Sequence, residues 1–113
     1  MLIIHRDPFT DLLFINDEIS ISLVLTRANQ LTSGSYRWKV RFDTTLNPDI
    51  TVVIRLDKTN TEIRDYYLLP RLDFMQDKIS LGEFNPIELE RYRFDNLNYL
   101  YGMAERVKWK KAN

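Results

Sequence analysis

Three cations at alternate positions of one short segment are the first candidates for a binding surface. The segment GSYRWKVRFD, residues 34–43, places Arg37, Lys39 and Arg41 on one face of an extended chain, because successive side chains of a β-strand point to opposite sides. Long cationic side chains of this kind can bind the phosphates of a polyanion such as DNA. The aromatic residues of the segment alternate to the opposite face, which indicates that they belong to the core and do not stack on bases.

Three further arginines could extend this basic surface. Arg55 joins it if segment 50–57 pairs in antiparallel fashion with segment 36–43, and Arg27 and Arg64 would then lie at its edges. In the alternative interpretation the face is only solvated, and its cations pair with acids in cross-strand contacts. The acids concerned would be Asp43, Asp57 and Glu62.

Three aspartates near the ends of the same segments could instead hold Mg²⁺ for a nuclease reaction. A metal-dependent nuclease built on a sheet needs carboxylates at adjacent strand ends and a lysine nearby, and Asp43, Asp49 and Asp57 accompany Lys39 and Lys58. The acid-x-Lys triplet of restriction-endonuclease-like sheets is missing, because no acid stands two positions before either lysine. Aspartates are also common turn residues. This alternative therefore takes the form of a degenerate nuclease-like fold, and Mg²⁺ is the only cofactor it would involve.

Other catalytic arrangements have no support in the sequence. The chain contains no cysteine, which excludes disulfides, thiolate nucleophiles and cysteine-ligated zinc. The single histidine, His5, has no acid and nucleophile partners at a recognisable spacing. The three glycines are too far apart for a phosphate-binding loop. No catalytic residue is predicted.

The composition is that of one folded domain. The chain has 113 residues, of which 44% are hydrophobic, enough for a core. Sixteen basic and sixteen acidic residues give a net charge of zero, which argues against a dedicated polyanion binder. Residues 19–64 nevertheless carry seven basic and four acidic groups, a local net charge of +3. No apolar run approaches the roughly 18 residues that span a bilayer, so we expect a cytoplasmic protein with no membrane partner.

Hydrophobic periodicity changes from two to about 3.6 along the chain, which predicts strands followed by helices. We expect a short helix at about 86–92, capped by Asn85, and a longer helix capped by Asp95. The fold predicted is a single α+β domain over residues 1–113, in which an antiparallel meander of four to five strands is packed on one face by the C-terminal helices. The strands are predicted at 11–16, 19–26, 36–43, 50–57 and 63–70.

Four strings of the sequence carry a resemblance to a known family. They are TDLLFINDEISISLVLTR, GSYRWKVRFDTTLNPDITVVIRLD, DYYLLPRLDF and YRFDNL. Together they resemble the C-terminal region of bacterial serine recombinases of the resolvase/invertase type, over about residues 7–110. The catalytic serine of that family lies in a separate N-terminal domain with a Tyr-x-Arg-Val-Ser type of motif. That motif is not found here, so no catalytic residue carries over.

The resemblance implies a non-catalytic accessory module of a bacterial site-specific DNA recombination protein. It also implies that residues 1–8 are the remnant of an upstream recombinase domain, with Met1 as a downstream start. Two other hypotheses remain open. One is a protein-interaction or homodimerisation module built on an open sheet face; the other is the nuclease-like fold with Asp43, Asp49 and Asp57.

Overall fold

The computed structural model describes residues 3–8 and 10–113. Within this part of the chain, nine strands and two helices follow one another. They are β1 (Ile4–Arg6), β2 (Leu13–Ile15), β3 (Ile19–Thr26), β4 (Ala28–Gln30), β5 (Tyr36–Arg41), β6 (Ile50–Leu56), β7 (Ile63–Pro70), β8 (Lys78–Leu81), α1 (Ile87–Glu90), β9 (Arg93–Phe94) and α2 (Leu100–Ala112).

The strands form two sheets that differ in size. The large sheet has the order β1-β2-β3-β6-β7-β9, and the small sheet has the order β4-β5-β8. All described pairings are antiparallel except that of β3 with β6, which is parallel. The α+β class, a mostly antiparallel sheet and a C-terminal helix are therefore confirmed.

The small sheet packs on one face of the large sheet and supplies part of the core. Trp38 and Val40 on β5 are 0% and 1% exposed, and the Trp38 Nε1–H donates to the Leu56 carbonyl at 2.8 Å. The Thr26 hydroxyl, at the end of β3, donates to the Lys39 carbonyl at 2.7 Å. These bonds hold β5 against the end of the large sheet, so the outward side of β5 is left to solvent.

Helix α2 supplies the second layer of the core, in contact with β3 and β7. Its buried residues are Leu100, Met103, Ala104 and Val107, at the spacing of three and four that one face of a helix requires. Leu97 and Tyr101 lie at the same spacing, but each is 39% exposed. No described helix is both long enough and apolar enough to cross a membrane.

The strand pairing differs from the predicted meander at one decisive point. Strand β5 pairs with β4 and β8, whereas β6 lies between β3 and β7. The physical reason is visible in the burial patterns. Six of the seven residues of β6 are buried, as in a central strand covered on both sides, whereas β5 alternates between buried and exposed. A strand with six buried residues of seven is more stable at the centre of the large sheet, where both of its faces are covered, than in an outer layer.

The helix boundaries also differ from the prediction. Helix α1 covers only Ile87–Glu90 with Pro86 at its N-cap, because the side chain of Asn85 bonds instead to Gly82. Helix α2 begins at Leu100, with Tyr99 at its N-cap. Asp95 does not cap it and lies 3.4 Å from Arg93.

The N-terminal segment forms the edge of the large sheet. Residues Ile4–Arg6 pair with β2. The prediction that residues 1–8 are a remnant of another domain includes Met1 and Leu2, which lie outside the described residues.

Candidate nucleic-acid interface

The outward face of β5 carries the predicted cations. Arg37, Lys39 and Arg41 are all exposed, because they alternate with the buried residues of the strand. The antiparallel register of β8 places Lys78 opposite Arg41 and Ser80 opposite Lys39. Lys78 was missed by the sequence prediction, although the alternation of residues 78–81 was a usable signal. We call the set of Arg37, Lys39, Arg41 and Lys78 the basic strip.

The cations of the basic strip have no acidic partner within the described ranges 3–8 and 10–113. None of the four lies within 4.0 Å of a carboxylate oxygen there. A groove of about 450 Å³ is lined by three cations of the strip, Lys39, Arg41 and Lys78. Its cations are therefore available to an external anion.

The acids that could have neutralised the strip bind elsewhere. Asp43 accepts hydrogen bonds from the backbone amides of Thr45 and Leu46, both at 2.9 Å. Asp57 accepts from the Thr59 hydroxyl at 2.8 Å, and this bond holds the pKa of that carboxyl below its ordinary value. Both aspartates thus close turns, and the predicted cross-strand pairing with them does not occur.

Arg55 does not belong to the basic strip, contrary to the prediction. It is 1% exposed and lies inside the protein, where β6 places it opposite Asp65 of β7. Its Nε and Nη2 donate to the two oxygens of Asp65 at 2.8 and 2.6 Å, and its Nη1 donates to the Gly82 carbonyl at 2.8 Å. The guanidinium lies between the rings of Trp38 and Tyr67, 4.8 and 5.2 Å from their centroids. Arg55 is therefore a structural residue that joins the two sheets.

A polar cluster surrounds this buried ion pair. Glu90 accepts from Arg93 Nε at 2.8 Å and from Asn85 Nδ2 at 3.3 Å. Burial alone would raise the pKa of Glu90, but the hydrogen bonds from Arg93 and Asn85 outweigh it and leave that pKa lowered. Burial raises the pKa of Tyr67 to about 12, although the Arg55 guanidinium beside it acts in the opposite direction. The phenol is a neutral hydrogen-bonding group at physiological pH, and it accepts from Asn85 Nδ2 at 3.2 Å.

The two remaining predicted arginines lie in different places. Arg64 borders the polar cluster, with its guanidinium 5.3 Å from the Trp38 ring and 3.9 Å from Asp65. Arg27 is exposed in the single-residue connection between β3 and β4. The structure therefore keeps Arg37, Lys39 and Arg41 together, and it separates Arg55 from them.

The three aspartates of the nuclease hypothesis do not come together. Asp49 and Asp57 lie before and after β6, a distance of about 25 Å for eight steps of a strand. Asp49 bonds to the Ser20 amide at 2.9 Å and pairs with Lys111 at 3.0 Å. Among the described residues, no three His, Cys, Asp or Glu side chains form a group that could hold a metal ion. These residues do not fit a Mg²⁺ site.

The single histidine lies away from these groups. His5 Nε2 is 3.1 Å from Asp17 on the exposed edge of the large sheet.

Asp65, the most buried acid, has guanidinium groups of Arg55, Arg64 and Arg93 within 4.0 Å. A divalent cation would be repelled from such a site.

Comparison with known proteins identifies a shared fold. No protein-family model matches the chain, and no curated protein matches it. A solved structure of a bacterial homing endonuclease, I-Ssp6803I, is similar with a TM-score of 0.55 and 12% sequence identity, over 98% of this chain and 82% of that chain. At this level of identity the similarity is one of fold.

Proposed function

We propose that the basic strip binds the phosphate backbone of DNA. The observation that carries this proposal is that four neighbouring cations on β5 and β8 have no acidic partner among the described residues. The similarity of fold to a homing endonuclease supports a role in nucleic-acid chemistry. Binding of this kind does not recognise a base sequence, because phosphate contacts position a protein on DNA but carry no information about the bases.

The dimensions of the strip suit a short run of phosphates. Four strand steps separate Arg37 from Arg41, a distance of about 13 Å. One strand of B-DNA carries a phosphate about every 3.4 Å along the axis, so this distance corresponds to roughly four phosphates. Four phosphate contacts predict a slope of about −3.6 for log K against log salt, or a loss of about 150-fold in affinity between 50 and 200 mM salt.

The proposal is tested by fluorescence anisotropy with a labelled duplex over that range of salt. The variant Lys39→Gln/Arg41→Gln should bind more weakly and should reduce the slope by about 1.8. A matched control is Arg91→Gln/Arg106→Gln, which removes two exposed cations from outside the strip. If the wild type does not bind at 50 mM salt, or if both variants lose affinity equally, the proposal is wrong.

The nuclease alternative is tested separately by a plasmid-nicking assay. We propose a DNA-binding role without cleavage, because Asp43, Asp49 and Asp57 do not form a metal site. The expected result is no nicking above background in the presence of excess Mg²⁺. Cleavage that depends on Mg²⁺ and disappears in Asp49→Asn would contradict this expectation.

The recombination context rests on sequence resemblance and stays a prediction. Under it, this chain acts as an accessory module of a bacterial serine recombinase in the cytoplasm. The reading frame that contains the chain tests this directly. A catalytic serine recombinase domain upstream would support the prediction, whereas a frame without one would overturn it.

A second candidate function is self-association through the large sheet. Leu23 and Leu25 on β3 are each 52% exposed and point to the same face as the partly exposed Ile54 of β6. Sedimentation should then show a dimer that Leu23→Glu/Leu25→Glu dissociates. Leu72→Glu serves as a control because Leu72 is also 52% exposed and lies outside β3. A wild-type monomer at all concentrations would contradict this candidate.

A further inference from the structure

Phe84 is the most exposed large hydrophobic residue of the described chain. It is 94% exposed and lies between β8 and α1. Burial of a phenylalanine side chain stabilises a folded protein, so a nearly complete exposure gives up most of that stabilisation. The exposed ring is therefore available for a contact with another molecule.

The loop that carries Phe84 is held by hydrogen bonds on both sides of it. The Gly82 amide donates to Asn85 Oδ1 at 2.8 Å, and Asn85 Nδ2 donates to the Gly82 carbonyl at 2.9 Å. The same carbonyl accepts from the buried Arg55 at 2.8 Å. The backbone on both sides of Phe84 is thus fixed to the core of the protein while the side chain is exposed, so little backbone entropy is lost when the ring makes a contact.

Two cavities meet at Phe84, and each of them contains arginine. One, of about 270 Å³, is lined by Arg37 at the end of the basic strip. The other, of about 330 Å³, is lined by Arg64 and Arg93. The acid that both share, Glu83, is neutralised by Lys58 at 2.9 Å. The arginines of the second cavity are paired with Asp65 and Glu90, which also line it. Arg64 has the longest of these contacts, at 3.9 Å from Asp65. An anionic chain that follows the basic strip would therefore meet Phe84 and then Arg64.

Gly82 allows the strip and the loop to approach each other. A Cβ atom at this position would lie 2.7 Å from Nη1 of Arg37. The guanidinium of Arg37 therefore lies directly against the base of the loop. Arg37 and Phe84 line the same cavity, and a cation together with an aromatic ring is the combination that binding of a single strand uses.

We propose that Phe84 stacks on an unpaired base of single-stranded DNA, with the flanking phosphates bound by Arg37 on one side and Arg64 on the other. This inference rests on the proposed phosphate binding and deepens it by naming the form of DNA. Stacking of a base on an aromatic side chain tolerates any sequence and is lost when the ring is removed. Bases inside a duplex already stack on one another, so Phe84 gains a base face only where a strand is unpaired.

The experiment compares a labelled 16-nucleotide thymidine strand with a duplex of the same length at fixed salt. Phe84→Ala should weaken binding of the single strand by about 5- to 100-fold and should change duplex binding by less than about 2-fold. Phe84→Trp should keep the affinity, and Phe84→Leu should lose it, because leucine is apolar but cannot stack. Trp109→Ala is the matched control, since Trp109 is another exposed aromatic, 67% exposed on α2.

The outcomes separate this inference from the proposed function. If the wild type binds both DNAs with a steep salt dependence but Phe84→Ala binds the single strand normally, the stacking contact is wrong and the phosphate contact stands. Stacking would also be overturned if Phe84→Ala weakened the binding of both DNAs equally, or if Phe84→Leu kept the wild-type affinity for the single strand. If the wild type binds neither DNA at low salt, both proposals are wrong.

Discussion

The buried ion pair between Arg55 and Asp65 permits a quantitative prediction about stability. Both residues are at most 2% exposed, and their two hydrogen bonds measure 2.8 and 2.6 Å. Removal of one partner from a buried pair costs about 3–5 kcal/mol, because the other charge remains inside without compensation. Domains of this size have a total stability of about 5–15 kcal/mol. Asp65→Asn should therefore remove a large part of the free energy of unfolding.

The expected change can be measured as a shift in melting temperature. For a domain of about 100 residues, a loss of 3–5 kcal/mol corresponds to a lower Tm by about 10–25 °C. Urea unfolding should show the same loss as a lower midpoint with an unchanged slope. Thermal and urea unfolding, each followed by circular dichroism, provide the two independent measurements.

A double-mutant cycle tests the physical reason for the loss. Arg55→Met/Asp65→Leu removes both charges and retains apolar volume, and buried pairs replaced in this way often lose little stability. The double variant should therefore be more stable than Asp65→Asn alone. The reasoning is refuted if the double variant loses the sum of the losses of Arg55→Met and Asp65→Leu, or if Asp65→Asn lies within about 1 kcal/mol of the wild type.

Three further predictions concern single side chains. Because the pKa of Tyr67 is raised to about 12 from an ordinary value of 10.0, the folded state holds its proton more tightly than the unfolded state does. The contribution of Tyr67 to the free energy of unfolding should then be fully present below about pH 10 and should be lost as the pH rises towards about 12. In Tyr67→Phe, the unfolding midpoints should not show this loss between about pH 10 and 12. Asp49→Ala should cost about 1–2 kcal/mol in urea unfolding, because it removes the bonds to Ser20 that join the starts of β3 and β6, and a stability equal to that of wild type would contradict this role. Trp38→Phe should cost about 1–3 kcal/mol, because the Leu56 carbonyl loses its buried donor, and a neutral effect in thermal unfolding would show that this bond does not hold the sheets together.

The sequence was most informative about properties that depend on one segment alone. The alternation of residues 36–43 correctly predicted that Trp38 is buried and that Lys39 is exposed. The adjacent tyrosines of β7 show the same alternation, since Tyr67 is 0% exposed while Tyr66 is half-buried. These properties follow from the geometry of a single strand, which places neighbouring side chains on opposite faces.

The candidate site depended on which strands are neighbours, and this information is not local. Lys78 joins the basic strip because β8 pairs with β5, although 37 positions separate Lys78 from Arg41. Phe84 became a candidate binding residue only through its exposure and the arginines that line the same cavities. Neither property can be derived from the residues that surround Phe84 in the chain.

The sequence by itself thus determined the α+β class, the faces of β5 and the cationic character of the strip. Only the tertiary structure decided that Arg55 lies inside, paired with Asp65, while Arg37, Lys39 and Arg41 remain outside without acidic partners among the described residues. The physical reason is that a cation in a strand can be stabilised either by water or by a buried carboxylate, and the sequence of that strand does not indicate which. Pairing between distant strands brings the carboxylate to Arg55 and brings none to the basic strip.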